Sequence, residues 1–225
     1  MQLPKSLVEG YRRFLRDRHA PDKGRYLQLA ELGQTTTAMV IACCDARLDD
    51  SAIFDAEPGA LFILRNVANL VPPYEPDSQY HGTSAAIEYA ALALKVPHIV
   101  VLGHSRCGGV MAYREAIRGN TEKSGFIGRW LALLDDAKVA QNDITEHGEE
   151  TAFEFAAIRA SLAHLGSFPV IREREQAGMI SLHELLAIRQ KAFCAIDHKL
   201  GVIAGDLIEQ PELASADQQM RPQHV

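Results

Sequence analysis

The chain has 225 residues, 47% of them hydrophobic and 23% charged, with a formal net charge of −6. That length supports one large domain with its own core, and the composition is that of an ordinary globular protein. The acidic balance, without any basic block, argues against nucleic acid or an anionic membrane as the main partner, and no apolar run approaches the roughly 20 residues of a helical bilayer span.

Four cysteines, Cys43, Cys44, Cys107 and Cys194, show no regular disulfide spacing, and nothing resembles a signal peptide. A cytoplasmic setting is expected, with thiols kept for metal or core. Residues 3 to 18 place Leu3, Leu7, Tyr11, Phe14 and Leu15 at helical spacing,. Such a helix packs either on its own domain or on a second subunit. A second short helix spans residues 25 to 32 and ends at Gly33,.

Thr37 to Cys43 is apolar and β-branched, the pattern of a buried strand,. Asp49-Asp50-Ser51 opens a short helix to Ala56, and Pro58-Gly59 turns the chain into a strand over Leu61 to Leu64. Arg65-Asn66-Val67-Ala68-Asn69 follows, polar groups where a parallel sheet presents its ligand site,. A helix from Ala85 to Leu94, stopped by Pro97, leads to a third strand over His98 to Leu102. This alternation predicts an α/β domain, with a mostly parallel sheet of four to five strands flanked by helices. Beyond Gly109 the pattern is helical over Val110 to Ile117, Ile127 to Lys138, Glu150 to Leu165 and Pro169 to Gln176. Ser181 to Ile188 and Ala192 to Ile196 read as a closing hairpin turning at Arg189-Gln190-Lys191, with Cys194 in its core,. The last residues, rich in Gln, Asp and Pro, read as a loose tail,.

The chemistry gathers at two strand ends. Cys43-Cys44-Asp45-Ala46-Arg47 ends the first strand, and Gly103-His104-Ser105-Arg106-Cys107-Gly108-Gly109 ends the third. Neighbouring parallel strands would bring Cys43, His104 and Cys107 to one point. Two thiolates and an imidazole suit zinc, and three protein ligands leave a fourth position open, as a catalytic site requires. The surrounding glycines let backbone bend around a small centre. Asp45 could close the site as a fourth ligand. Alternatively Arg47 could hold it away in a bidentate pair, where it would accept a hydrogen bond from metal-bound water. Cys44 should point away from Cys43 and be packed.

These motifs, with Gly82-Thr83-Ser84-Ala85-Ala86-Ile87-Glu88-Tyr89, Ser161-Leu162-Ala163-His164-Leu165 and Phe168-Pro169, resemble a β-class carbonic anhydrase over roughly residues 25 to 200. The plant-type subgroup is nearer than the bicarbonate-inhibited one. The resemblance implies zinc on Cys43, His104 and Cys107, with the Asp45–Arg47 dyad as catalytic residues. It implies reversible hydration of CO2 to bicarbonate and a proton by attack of zinc-bound hydroxide. Gln34, Phe62, Val67, Tyr89 and Gly108 would line a narrow pocket at a subunit interface. The protein would be a homo-dimer or higher even oligomer whose N-terminal helices pack on a partner. The domains would be a helical arm over 1–24, the α/β domain over 25–210 and a flexible tail over 211–225. Two rival readings are hydrolysis of a related linear substrate such as carbon disulfide, and a non-catalytic zinc-binding protein closed by Asp45.

Three departures from the family pattern are visible. Ala46 replaces the usual serine beside the dyad. Val40 stands where the bicarbonate-inhibited members carry tryptophan, and Glu184-Leu185-Leu186-Ala187 replaces a Gly–aromatic stretch. A second, non-catalytic bicarbonate site is therefore not expected, and Arg65 is assigned to the fold or the dimer. Among the remaining histidines, His81 borders the expected pocket loop and is the candidate for proton relay. His19, His98, His147, His164, His183, His198 and His224 read as surface or satisfied core groups.

Overall fold

A strand buried on both faces must be apolar throughout, and the centre of this molecule follows that rule. The computed structural model describes residues 3–77, 81–120, 124–188 and 191–197. Its central strand β1, Ala38–Cys43, is buried from Met39 onward. Parallel neighbours flank it: β2, Leu61–Asn66, pairs Asn66 with Cys43, and β3, His98–His104, pairs Leu102 with Ala42. Parallel β4, Ser181–Ile188, and antiparallel β5, Lys191–Asp197, complete the order β2-β1-β3-β4-β5. The expected hairpin is thus present. Its turn at Arg189-Gln190, the Cys194 side chain and the 211–225 tail lie outside the described residues or side chains.

Alternation along the strands divides the core between the two faces of the sheet. Met39, Ile41, Ile99, Val101, Leu182 and Leu186 face one layer. There they meet helices α4, Gly82–Tyr89, α8, Glu149–Leu165, and α9, Pro169–Gln176. Val40, Ala42 and Leu102 face the other layer, with α5, Gly108–Ile117, and α6, Gly125–Leu131. Gly103 lets α8 approach β3 closely, since a Cβ there would lie 2.7 Å from Ile158 Cδ1.

Several boundaries differ from the pattern reading. Helix α1 spans Lys5–Phe14 and loosens into a π turn over Leu15–His19. Helix α4 begins three residues early, and its π-turn extension, Ala90–Leu94, is stopped by Lys95 in a left-handed conformation (φ 53°). Helix α3 is a single turn, Asp50–Ile53, capped by the Asp49 side chain, which accepts from the Ala52 amide at 3.2 Å,. The segment expected to be helical over 127–138 divides into α6 and a 3₁₀ turn, Ala132–Leu134. Helix α7, Gln141–His147, was not foreseen, because its only large apolar residue is Ile144.

Helices α1 and α2, Lys23–Leu32, have no buried residue. Gly33 ends α2 with φ 80°, as its position suggested. Leu3, Leu7 and Tyr11 are 72%, 60% and 62% exposed, so the apolar stripe of α1 finds no cover among the described residues. The arm touches the body through Arg25, which donates to the Pro58 carbonyl at 3.2 Å, and through Leu29, which lies over Gly59.

Candidate metal centre

The carboxyl ends of β1 and β3 are adjacent, so Cys43 and His104 meet where their strands stop. A tight loop returns Cys107 to the same point. Two constraints fix that loop. Arg106 adopts the left-handed region (φ 56°), and the Ser105 amide donates to the Ala187 carbonyl at 2.9 Å. A third comes from α8: the carboxylate of buried Glu154 accepts the amides of Arg106 and, at 3.4 Å, of Cys107. Sequence reasoning missed Glu154. Its only signal was a charge lying between Phe153 and Phe155 on a helix with a wide apolar face.

Cys43 Sγ and Cys107 Sγ lie 3.8 Å apart, and the three donor atoms fall within 4.8 Å of one another. All three residues are buried. His104 Nδ1 donates to the Ser105 carbonyl at 3.0 Å, which leaves the Nε2 lone pair for the centre,. Nε2 is buried and has no hydrogen-bond partner. An orphaned imidazole nitrogen facing two thiols is a costly arrangement unless a cation completes it. The donor set therefore fits a borderline-soft divalent metal such as zinc. The electrostatics agree. Hydrogen bonding from Cys107 draws the Cys43 thiol down to about 4 against its burial, while the same contact and burial push Cys107 up.

Asp45 stands outside the three-residue donor group. Its Oδ1 accepts from Arg47 Nε and from the Arg47 amide, both at 2.9 Å, and its Oδ2 accepts from Arg47 Nη2 at 2.6 Å. This bidentate pair holds the Asp45 carboxyl well below the usual range, with the Arg47 amide helping and burial opposing,. Arg47 Nη2 also donates to the Arg106 carbonyl at 3.1 Å, so the dyad is tied to the loop that carries Cys107. Asp45 Oδ2 still lies 3.8 Å from His104 Nε2, at the edge of the centre.

Arg65 belongs to the fold. Its guanidinium donates to the carbonyls of Cys43, Asp45 and Leu48 at 2.9, 2.7 and 2.8 Å, and lies 3.6 Å from buried Asp50. Gathering those carbonyls bends the chain out of the sheet after Cys43. That bend corrects the expectation for Cys44, which is exposed in this chain and not packed.

The pocket candidates divide. Val67 and Gly108 flank the centre, with Val67 Cγ1 3.0 Å from where a Cβ on Gly109 would stand. Phe62 and Tyr89 pack together with centroids 5.8 Å apart. Phe62 pairs with Met39, four residues before Cys43, which puts it about 13 Å back along the strand,. Gln34 is exposed between α2 and β1. His81 pairs with Asp77 at 2.7 Å. His164 Nδ1 donates to the Val71 carbonyl at 2.6 Å, and Ser161 Oγ donates to the Asn69 carbonyl at 3.1 Å. The later helix motif thus braces the Val67–Asn69 turn.

A parallel sheet with a buried Cys–His–Cys donor set at its carboxyl edge defines an α/β protein with a candidate transition-metal centre. More particularly, the chain belongs to the β-class carbonic anhydrases: the carbonic anhydrase family model matches residues 38–191. Beta carbonic anhydrase 5, chloroplastic, of Arabidopsis thaliana is 38% identical over 175 residues, 76% of this chain and 56% of that protein. Beta carbonic anhydrase 3 of the same plant is 36% identical over 174 residues, 75% and 66% of the two chains. The chain thus spans just over half to about two thirds of the length of these curated relatives. Among solved structures, the β-carbonic anhydrase CcaA superposes with a TM-score of 0.72 at 29% identity, covering 88% of this chain and 89% of that one. A chain from the crystal structures of two tetrameric β-carbonic anhydrases of Sordaria macrospora gives 0.67 at 27% identity, covering 81% of this chain and 90% of that one.

Proposed function

We propose that the protein is a zinc-dependent carbonic anhydrase interconverting CO2 and bicarbonate. The observation that carries this reading is the buried Cys43–His104–Cys107 set beside an Asp45 that Arg47 holds off the centre. Zinc, when bound there, lowers the pKa of a coordinated water from about 15.7 to about 7 and so supplies a nucleophile at neutral pH.

This chain's own residues do the rest. His104 is held as the Nδ1–H tautomer by the Ser105 carbonyl, so Nε2 is always the ligating nitrogen,. Ionised Asp45 is an acceptor only. With the metal in place, its Oδ2 would be the acceptor at the edge of the centre that orients an oxygen nucleophile by taking its hydrogen bond,. Arg47 holds the carboxylate in a bidentate pair, so Asp45 would stay in this role and not join the three donors, which favours a catalytic over a closed structural centre. Val67 gives the apolar wall that an uncharged substrate without hydrogens needs. Phe62, Tyr89 and Gln34 lie too far along their elements to complete this wall within one chain. They would serve the pocket of a second copy, in a dimer or higher even oligomer that also covers α1.

Stopped-flow CO2 hydration on zinc-loaded protein at pH 8 or above tests the assignment. Acceleration over the metal-free protein is expected. Arg47→Ala should release Asp45 towards the open position and lower kcat by about 10²-fold or more. No acceleration by the loaded protein would remove the anhydrase assignment, and full activity in Arg47→Ala would remove the role given to the dyad.

A further inference from the structure

The turn that follows β2 is strained. Ala68 and Asn69, neither of them glycine, both take the left-handed region, with φ 62° and 49°. Two such residues in succession persist only where the surroundings fix them. Three sets of contacts do so. Asn66 Nδ2 donates to the Leu70 carbonyl at 2.8 Å, and Asn66 Oδ1 accepts the Leu70 amide at 2.9 Å. Ser161 Oγ, on α8, donates to the Asn69 carbonyl and accepts the Val71 amide at 3.2 Å. The third contact comes from α6: Trp130 Nε1 donates to the Val67 carbonyl at 2.8 Å, the length of a good hydrogen bond,.

This last bond sets the plane of one peptide unit. The Val67–Ala68 peptide is trans, so its carbonyl and its amide point in opposite directions. Trp130 draws the carbonyl to one side. The Ala68 amide is thereby turned to the other, where it approaches the Cys43 sulfur as a hydrogen-bond donor. The register brings the two together: Asn66 pairs with Cys43, and the turn begins one residue later. Gly109 lies close against the same peptide, since a Cβ there would stand 2.9 Å from Ala68 Cβ. The unit therefore has little room to rotate once the indole holds it. Trp130 is itself seated against the buried cluster that contains Val110 and Leu131.

We propose that Trp130 is a positioning residue for the metal centre: its indole N–H fixes the Val67–Ala68 peptide so that the Ala68 amide bonds to the Cys43 sulfur and the Val67 side chain walls the pocket. The proposal rests on Cys43 being a metal ligand, as the proposed function has it. A hydrogen bond to a ligating sulfur orients it and takes up part of its charge, and loss of such an outer contact costs about 10- to 100-fold in metal affinity or activity.

Trp130 is the sole tryptophan of the chain, so replacing tryptophan throughout during expression alters this position alone. Trp130→benzothienylalanine keeps the shape of the ring and puts sulfur where the N–H was. Trp130→fluorotryptophan keeps the N–H. In the full-length chain the benzothienyl protein should bind zinc about 10-fold more weakly by chelator competition. Its cobalt-loaded form should show displaced thiolate-to-cobalt charge-transfer bands, whereas the fluorinated protein matches wild type in both measurements. A benzothienyl protein equal to wild type in either measurement would overturn the inference, and so would the same loss in the fluorinated protein, because the donor would then not matter. A wild type that binds zinc but hydrates no CO2 would remove the carbonic anhydrase assignment and leave this comparison to decide. One that binds no zinc would end both. If the benzothienyl chain does not fold, the indole N–H resonance of the unmodified protein decides. It should resist exchange with solvent and shift when zinc is added to the metal-free protein; a signal that exchanges freely or stays unmoved would overturn the inference.

Discussion

At the scale of single residues, the centre depends on groups that touch no substrate. Glu154 accepts two amides in the loop between His104 and Cys107, one partly buried and one buried, and burial outweighs those hydrogen bonds to push its carboxyl upward. Glu154→Ala would strand both amides, at about 1–3 kcal/mol each, and let the Cys107 loop relax. Zinc affinity should fall by about 10- to 100-fold, measured by competition with a chromophoric chelator, while Glu154→Gln keeps most of it. Equal affinity in all three proteins would contradict the positioning role. Asp45 gives a pH prediction. Its folded pKa lies below the unfolded value of about 3.9, so its stabilising share is complete above that value and is lost as pH falls through the folded one,. The stability gap between wild type and Asp45→Asn, followed by denaturant melts, should be flat from pH 9 to 5 and shrink only below about pH 4. A gap that closes near pH 6 would show that Arg47 does not hold the carboxylate.

At the scale of elements, the strands and their ends were legible because both signals are local: an apolar β-branched run, then a polar or glycine-rich break. That is why Cys43, His104 and Cys107 could be placed together from sequence, and why the closing hairpin could be drawn. Other features arise from contacts between elements and leave little trace in the chain. Cys44 faces outward because Arg65, from the neighbouring strand, gathers three carbonyls and turns the backbone. Glu154 looks like a surface charge until α8 is laid across β3. The ends of α1 and α4 depend on π turns that apolar spacing does not register. One junction between elements makes a sharp test. A Cβ on Gly109 would stand 2.9 Å from Ala68 Cβ and 3.0 Å from Val67 Cγ1. Gly109→Ala should therefore cost about 1–3 kcal/mol and displace the Val67–Asn69 turn from the centre, read as a lowered Tm together with weaker metal binding. An unchanged Tm would mean the turn yields without cost.

At the scale of the whole molecule, the sheet is a frame that aims two strand ends and one loop at a single point. Among the described residues, the arm of α1 and α2 has none that is buried. The frame matters to function only if the three donors hold one metal with a vertex to spare. X-ray absorption on freshly purified protein, with elemental analysis of the same sample, measures that directly. The account predicts one zinc per chain, with two sulfur neighbours at about 2.3 Å and at least one imidazole nitrogen at about 2.0–2.1 Å. No stoichiometric transition metal, or a coordination shell without sulfur, would contradict it.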